Sequence, residues 1–255
     1  METPRSTESL VELAARRQLP LHQYTDRATV LWIEENRPDF TDGSFARPRP
    51  SSQLLLRRSC IPVAWWAEGR NVDSLHGVRH AMRTAALASL LAEDAGLAED
   101  ETADLVLAAA VHDCRRLHDK DDDGHGARAA TWLVENANAV WGHFHLVATS
   151  ARIDRAATAV RLHDVPYAVF SATDEADHAR NAQVCDLLKA ADALDRYRLP
   201  KLSWWPDPTR VRAQGFDRLR ATAFDLVVRS EAGHLAGRDS AEAVFEALLP
   251  GELLP

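Results

Sequence analysis

The sequence predicts an all-α protein built around one core. Apolar residues recur at helical spacing through most of the chain. These periodic stretches start after Asp, Ser or Thr and stop before Gly or Pro. No stretch alternates apolar and polar residues as a half-buried strand would, and there is no internal repeat or low-complexity segment. With 255 residues, 46% of them hydrophobic, the chain can form one substantial core with decorated ends.

Residues 1–72 are the least regular part and are expected to form an N-terminal helical extension, either packed on the body or lying over it as a lid. Helical character is present over residues 10–19 and 25–35. Arg37-Pro38, Asp42-Gly43 and the run from Arg47 to Ser52 then break the periodicity, and Trp65-Trp66 supply apolar contact area. Residues 73–200 carry the strongest signal. A helix starting near Asp73-Ser74 runs over 75–95 and stops at Gly96, with Leu75, Val78, Met82, Ala85, Ala86 and Leu90 on its apolar face. On that helix His76 and His80, four apart, would project from the same side. A second helix begins near residues 100–102 and ends in His112-Asp113. The carboxylate-rich run 119–123 reads as a solvated loop, and a third helix extends from about His125 to Val140. A fourth covers 150–163 and is closed by Pro166; a fifth covers 174–198 and is closed by Pro200. The tail, 201–255, contributes a long helix over 209–231 and a short one over 241–249 that pack on the core.

Composition narrows the function. No apolar run approaches the roughly 20 residues that span a bilayer, and the polar first ten residues do not read as a leader. Cys60, Cys114 and Cys185 are far apart and show no pair spacing, the pattern of reduced thiols in a cytoplasmic protein. A net charge of −8 argues against general nucleic-acid binding but leaves room for a small anionic ligand held by a few arginines.

His112 and Asp113 close an apolar run, 105–111, and a buried imidazole–carboxylate pair needs partners. A divalent cation is the natural one. The other potential ligands are His80, His125, His163 and Asp192. Each lies on a different predicted helix or helix end, as expected of a site built between the helices of a bundle. Six such residues exceed what one tetrahedral ion requires and suit two divalent ions, with Asp113 able to bridge. His118, His143, His145 and His178 belong to no such pattern, and Cys114 reads as a small packed residue.

The ordered series resembles the HD superfamily of metal-dependent phosphohydrolases, whose pattern is H…HD…D. HAMRTA (80–85) is similar to the family's first-ligand segment, AAAVHDCRR (108–116) to its HD helix and ADALDRYR (191–198) to its last-ligand segment. The intervening His125 and His163 resemble its dinuclear branches, and HGVRH, HDCRRLHDKDDDGHGARAA and ADALDR together resemble a subgroup of small bacterial HD proteins. The resemblance covers about residues 73–200 and implies an HD-type helical bundle with helical extensions at both ends. It also implies one or two metal ions drawn from Fe, Mn, Co, Ni or Zn, and hydrolysis of a phosphate ester on a nucleotide or other small phosphorylated or polar molecule. Asp113 and Arg116 are then expected in catalytic roles. His76, Arg83, Arg128 and Lys189, each close in sequence to a proposed ligand, are expected to contact substrate. Two alternatives stay open. The H…HD…H…H…D series is also similar to that of HD-fold diiron oxygenases, and an HD scaffold can bind a nucleotide without turning it over.

Overall fold

The computed structural model describes residues 8–40, 46–251 and 253, and among them it is helical with no strand. The expected turn at Asp42-Gly43 and most of the polar first ten residues lie outside the described residues. The N-terminal part holds α1 (Leu10–Ala15), α2 (Arg27–Glu35) and α3 (Pro50–Leu56). The centre holds α4 (Val78–Asp94), α5 (Glu99–Val111), α6 (His125–Glu135), α7 (Ala137–His143), α8 (Ser150–Leu162), α9 (Ala172–Arg180) and α10 (Ala182–Leu194). The tail holds α11 (Phe216–Leu235) and α12 (Ser240–Leu248).

The middle of the molecule is α4. Every residue from Val78 to Ala92 is buried, because α3, α5, α10, α11 and α12 all pack around it. A helix enclosed on all sides must satisfy its polar residues internally, and Arg79, His80, Arg83 and Thr84 each find partners inside, whereas the Ser89 hydroxyl finds none among the described residues. α5 is buried from Thr102 onward and packs on α4, α8 and α10. Its one interior carboxylate, Asp104, is met by Arg152 at 2.7 Å and Arg155 at 2.6 Å, both on α8. One hydrophobic core runs from Ile33 to Leu253, so both ends of the chain share it with the central helices. A smaller cluster of Leu10, Ala14, Leu19, Leu75 and Leu199, with Trp204 against it, ties the N-terminal segment to the stretch after α10.

Five element boundaries differ from the sequence expectation. The first long helix begins at Val78, not near residue 75, and Gly77 precedes it as a cap. A Cβ on Gly77 would lie 2.2 Å from the Val72 carbonyl oxygen, so the chain passes too tightly there for any other residue. His76 is therefore in a turn and does not share a helical face with His80. The third and fifth helices are each divided at an asparagine, Asn136 and Asn181. At Asn136 the side-chain amide donates to the Trp132 carbonyl at 2.8 Å, beside the backbone N–H of the same residue at 3.0 Å, a local side-chain bond that competes with continuation of the helix. The long tail helix starts at Phe216, after Gly215, not at 209. Finally, the stretch read as a loop at Pro50 opens α3, with the proline in the first turn where its missing N–H costs nothing.

Candidate metal centre

Five helix ends meet at one place. His80 lies in the first turn of α4, His112 and Asp113 directly follow α5, His125 opens α6, His163 directly follows α8, and Asp192 sits in the last turn of α10. Three of these ends are C-termini, whose partial negative charge favours a cation.

Three of the four histidines are held by the same local device. The Nδ1 atoms of His112, His125 and His163 lie 2.7, 2.8 and 2.7 Å from the carbonyl oxygens of Ala109, Asp122 and Val160, three residues back in each case. A carbonyl oxygen only accepts, so Nδ1 carries the proton and Nε2 is left with a lone pair. At His80 the Asp195 carboxylate performs the same task at 2.8 Å from Nδ1. All four Nε2 atoms point inward.

There they face each other in two pairs. His80 Nε2 is 3.0 Å from His112 Nε2, and His125 Nε2 is 3.1 Å from His163 Nε2. Two lone pairs this close repel unless a cation lies between them. Nitrogens each about 2.0–2.1 Å from one ion stand roughly 3 Å apart when they meet it near a right angle, which is the spacing seen. The carboxylates complete the arrangement. Asp192 Oδ1 is 3.4 Å from His80 Nε2 and 4.0 Å from His112 Nε2. Asp113 divides its two oxygens between the pairs. Oδ2 is 3.5 Å from His80 Nε2, and Oδ1 is 3.1 Å from His125 Nε2 and 3.5 Å from His163 Nε2. Asp113 Oδ1 is buried and accepts no hydrogen bond, which in a protein interior calls for an explanation. The donor set fits two divalent cations, one against His80, His112, Asp192 and Asp113 Oδ2, the other against His125, His163 and Asp113 Oδ1.

The electrostatics agree with that fit. Burial alone would raise the Asp113 carboxyl, but Arg116, His112 and His125 outweigh it and hold the group ionised, well below the usual range. Asp192 is likewise held down against burial by His80 and His112. Burial pushes His112 down to about 3, keeping its ring neutral and ready to ligate. His163 moves the other way, because its contact with Asp113 overcomes burial and raises it.

Around the ligands the side chains depart from expectation in instructive ways. Arg83 is corrected from a substrate contact to a structural one. It has no exposed surface, and its guanidinium is committed to Asp195 at 2.6 and 3.0 Å, Ser230 at 2.9 Å and Glu231 at 2.7 Å. Through Asp195 it fixes His80. Arg128 is corrected as well. It holds the Asp122 carboxylate at 2.6 Å and the carbonyls of Arg115 and Asp123, on an outer surface away from the ligand cavity. The 119–123 run is not a uniformly solvated loop, since Asp119 and Asp122 are buried. Asp119 accepts from the Gln23 backbone at 2.7 Å, from Ser74 Oγ at 2.8 Å and from His76 Nδ1 at 2.8 Å. His76 thereby presents Nε2 to the cavity, where burial and the nearby Arg116 charge push it down to about 3. Arg116 borders the cavity, with Nη1 3.7 Å from Asp113 Oδ1 and 3.1 Å from His125 Nε2. Lys189 donates to the carbonyls of His163 and Val165 at 3.0 and 2.5 Å and borders a small cavity of about 160 Å³ beside His163 and Asp192. Burial pushes its amine down to about 8.

Asp195, Asp164 and Glu231 carry parts of the site that sequence reasoning missed. Asp195 follows Asp192 by one turn, the spacing that puts both on one face, and that was the available signal. Asp164, 3.3 Å from His125 Nδ1, adjoins His163. Glu231 lies on α11, far along the chain, and nothing local marks it. A cavity of about 590 Å³ opens onto the centre, bordered by His76, Arg116, His125 and Asp164 and walled on one side by Ala14, Arg17, Leu19 and Gln23.

Comparison of the chain with protein-family models, curated proteins and solved structures finds no match.

Proposed function

We propose that the chain is a dinuclear member of the HD superfamily that hydrolyses phosphate esters of a nucleotide or another small phosphorylated molecule. The observation that carries this is the pair of facing Nε2–Nε2 contacts with Asp113 between them, its Oδ1 lacking any hydrogen-bond donor. His80, His112, Asp192 and Asp113 would hold one ion, and His125, His163 and Asp113 the other. Divalent ions held there supply an acidified water and polarise a phosphoryl oxygen. Arg116, on the cavity wall beside Asp113, is placed to neutralise charge gathering on the phosphoryl oxygens. His76 Nε2, its ring steadied by Asp119 at Nδ1, faces the same space with a lone pair that can accept a proton from a water there. The same donors suit two irons, and iron together with oxygen consumption would move the assignment to an HD-fold oxygenase.

The test is elemental analysis of protein purified without added metal, beside Asp113→Ala. We expect about two ions per chain in the wild type and none retained by the variant, whose helical circular dichroism is preserved. A variant that keeps full occupancy refutes the site. A metal-loaded wild type that releases no phosphate from a panel of nucleotides and sugar phosphates refutes the reaction.

A further inference from the structure

The cavity wall built from residues 14–23 and 199–204 carries a feature that the metal centre does not use. Arg17 follows α1 with φ of +59°, in the left-handed region where glycine is favoured. The turn is closed by Arg17 N–H donating to the Ala14 carbonyl at 3.1 Å and Gln18 N–H to the Leu13 carbonyl at 2.8 Å. A glycine would serve that turn with less strain, so the local fold does not account for an arginine there. Nor does charge pairing. Its neighbour Arg16 meets Glu8 at 2.7 Å, whereas Arg17 pairs with no carboxylate among the described residues. Its side chain borders the cavity instead.

Lys201 stands on the same wall. It too has no carboxylate partner among the described residues, and its ammonium lies 5.3 Å from the centre of the Trp204 ring. The two cations flank one apolar cluster, in which Leu19 and Leu199 pack together with Trp204 alongside. This wall contributes two positive charges and no carboxylate to the cavity lining; the acidic lining residues come from the 119–123 loop and Asp164. In a chain of net charge −8, two cations without a carboxylate partner on one wall, opposite the acidic side of the cavity, are a selective arrangement. A cavity of about 590 Å³ has room for a phosphorylated sugar or a nucleotide, not only for a single phosphate.

We propose that Arg17 and Lys201 form an anion-binding subsite at the far end of the substrate from the metal centre. The substrate would then carry a second phosphate or carboxylate group in addition to the one that is attacked. This rests on the proposed hydrolase site and narrows its substrate class. Arginine recognises such a group through two parallel N–H donors, and the apolar patch between the cations covers the uncharged middle of the molecule.

The test uses the full chain and two probes, fructose 6-phosphate and fructose 1,6-bisphosphate, titrated calorimetrically into wild type and Arg17→Gly. Glycine relieves the backbone while removing the cation, so the variant should melt at the same temperature or higher and keep its metal. We expect the wild type to bind the bisphosphate about tenfold more tightly than the monophosphate, and Arg17→Gly to lose that advantage while retaining monophosphate binding. A wild type that does not distinguish the probes, or a variant that still does, overturns the subsite. If the chain proves to hold no metal and the variant nevertheless loses the preference, the subsite stands and only the proposed reaction falls.

Discussion

Replacing Asp195 by asparagine removes one negative charge from a fully enclosed ionic group and changes almost no volume. The carboxylate accepts from Arg83 at 2.6 and 3.0 Å, from His80 Nδ1 at 2.8 Å and from Arg198 at 3.3 Å, and none of it is exposed. An amide has one acceptor oxygen, so its NH₂ must face a donor on Arg83, Arg198 or His80. Breaking a buried ion pair from one side costs about 3–5 kcal/mol. Glu231 still holds Arg83, so the lower end of that range applies. That is a large share of the roughly 5–15 kcal/mol that stabilises a domain, and the melting temperature should fall by several degrees with the chain still folded at 25 °C. The second consequence is specific to the centre. Without its acceptor the His80 ring loses its orientation, and disturbing the partner of a metal-ligating histidine weakens the metal by about 10–100-fold. The loss should fall on the His80–His112–Asp192 ion alone, since His125 and His163 are anchored by backbone carbonyls. Chelator competition followed by elemental analysis reads the two ions separately. A variant that is destabilised yet holds both ions with wild-type affinity would show that the Asp195 network supports the fold without tuning the metal.

Two further outcomes follow from the other half of the centre. A Cβ added at Gly126 would lie 2.8 Å from the Val160 carbonyl oxygen, 2.7 Å from Asp164 Oδ1 and 3.1 Å from His163 Cε1. Backbone on one side leaves His163 to move, so Gly126→Ala should cost about 1–3 kcal/mol of overpacking and lower occupancy to one ion; two ions at full affinity would show that α6 and α8 can separate harmlessly. Acid should also release the ions in order. Protons and cations compete for the same Nε2 lone pairs, Asp113 holds His163 above its ordinary value, and burial keeps His112 down near 3. As pH falls from neutral, the proton therefore takes His163 first, and the His125–His163 ion should leave at a higher pH than its neighbour. Metal release followed against pH checks this, and a single step or the reverse order refutes it.

What could be read from the sequence was whatever local chemistry sets. His112, His125 and His163 each bond a carbonyl three residues back, a contact internal to its own helix end. Their place at predicted helix ends was therefore legible, and the resemblance to the HD series singled them out as candidate ligands. The all-helical class followed from periodicity for the same reason. Arg83 shows where this fails. One turn from His80, it looked like a clamp for an anion, but its partners Ser230 and Glu231 arrive from α11, nearly 150 residues on. Sequence spacing reports which side chains share a face and is silent about what a distant helix brings to that face. Asp119 and Asp122 were misread similarly, because a run of aspartates gives no sign of which member will accept from a distant backbone amide, as Asp119 does from Gln23, or fold back on its own loop, as Asp122 does on Leu117.

The same distinction explains why the tail belongs to the site. Glu231 accepts from Arg79 at 3.0 Å and from Arg83 at 2.7 Å, and Arg79 also reaches Ser240 at the start of α12 at 2.7 Å. Burial would raise the Glu231 carboxyl, yet the two arginines hold it far below the ordinary range. α4 carries two buried arginines within one turn of the ligand His80, and Asp195 balances only part of that charge. The buried carboxylate on α11 supplies the balance. The proposed centre on α4 thus calls for α11 beside it, since without Glu231 both Arg79 and Arg83, the latter orienting Asp195, would be buried with too little opposing charge. The tail helices would act on a metal held there through electrostatic balance, with Arg83 and Asp195 standing between Glu231 and His80.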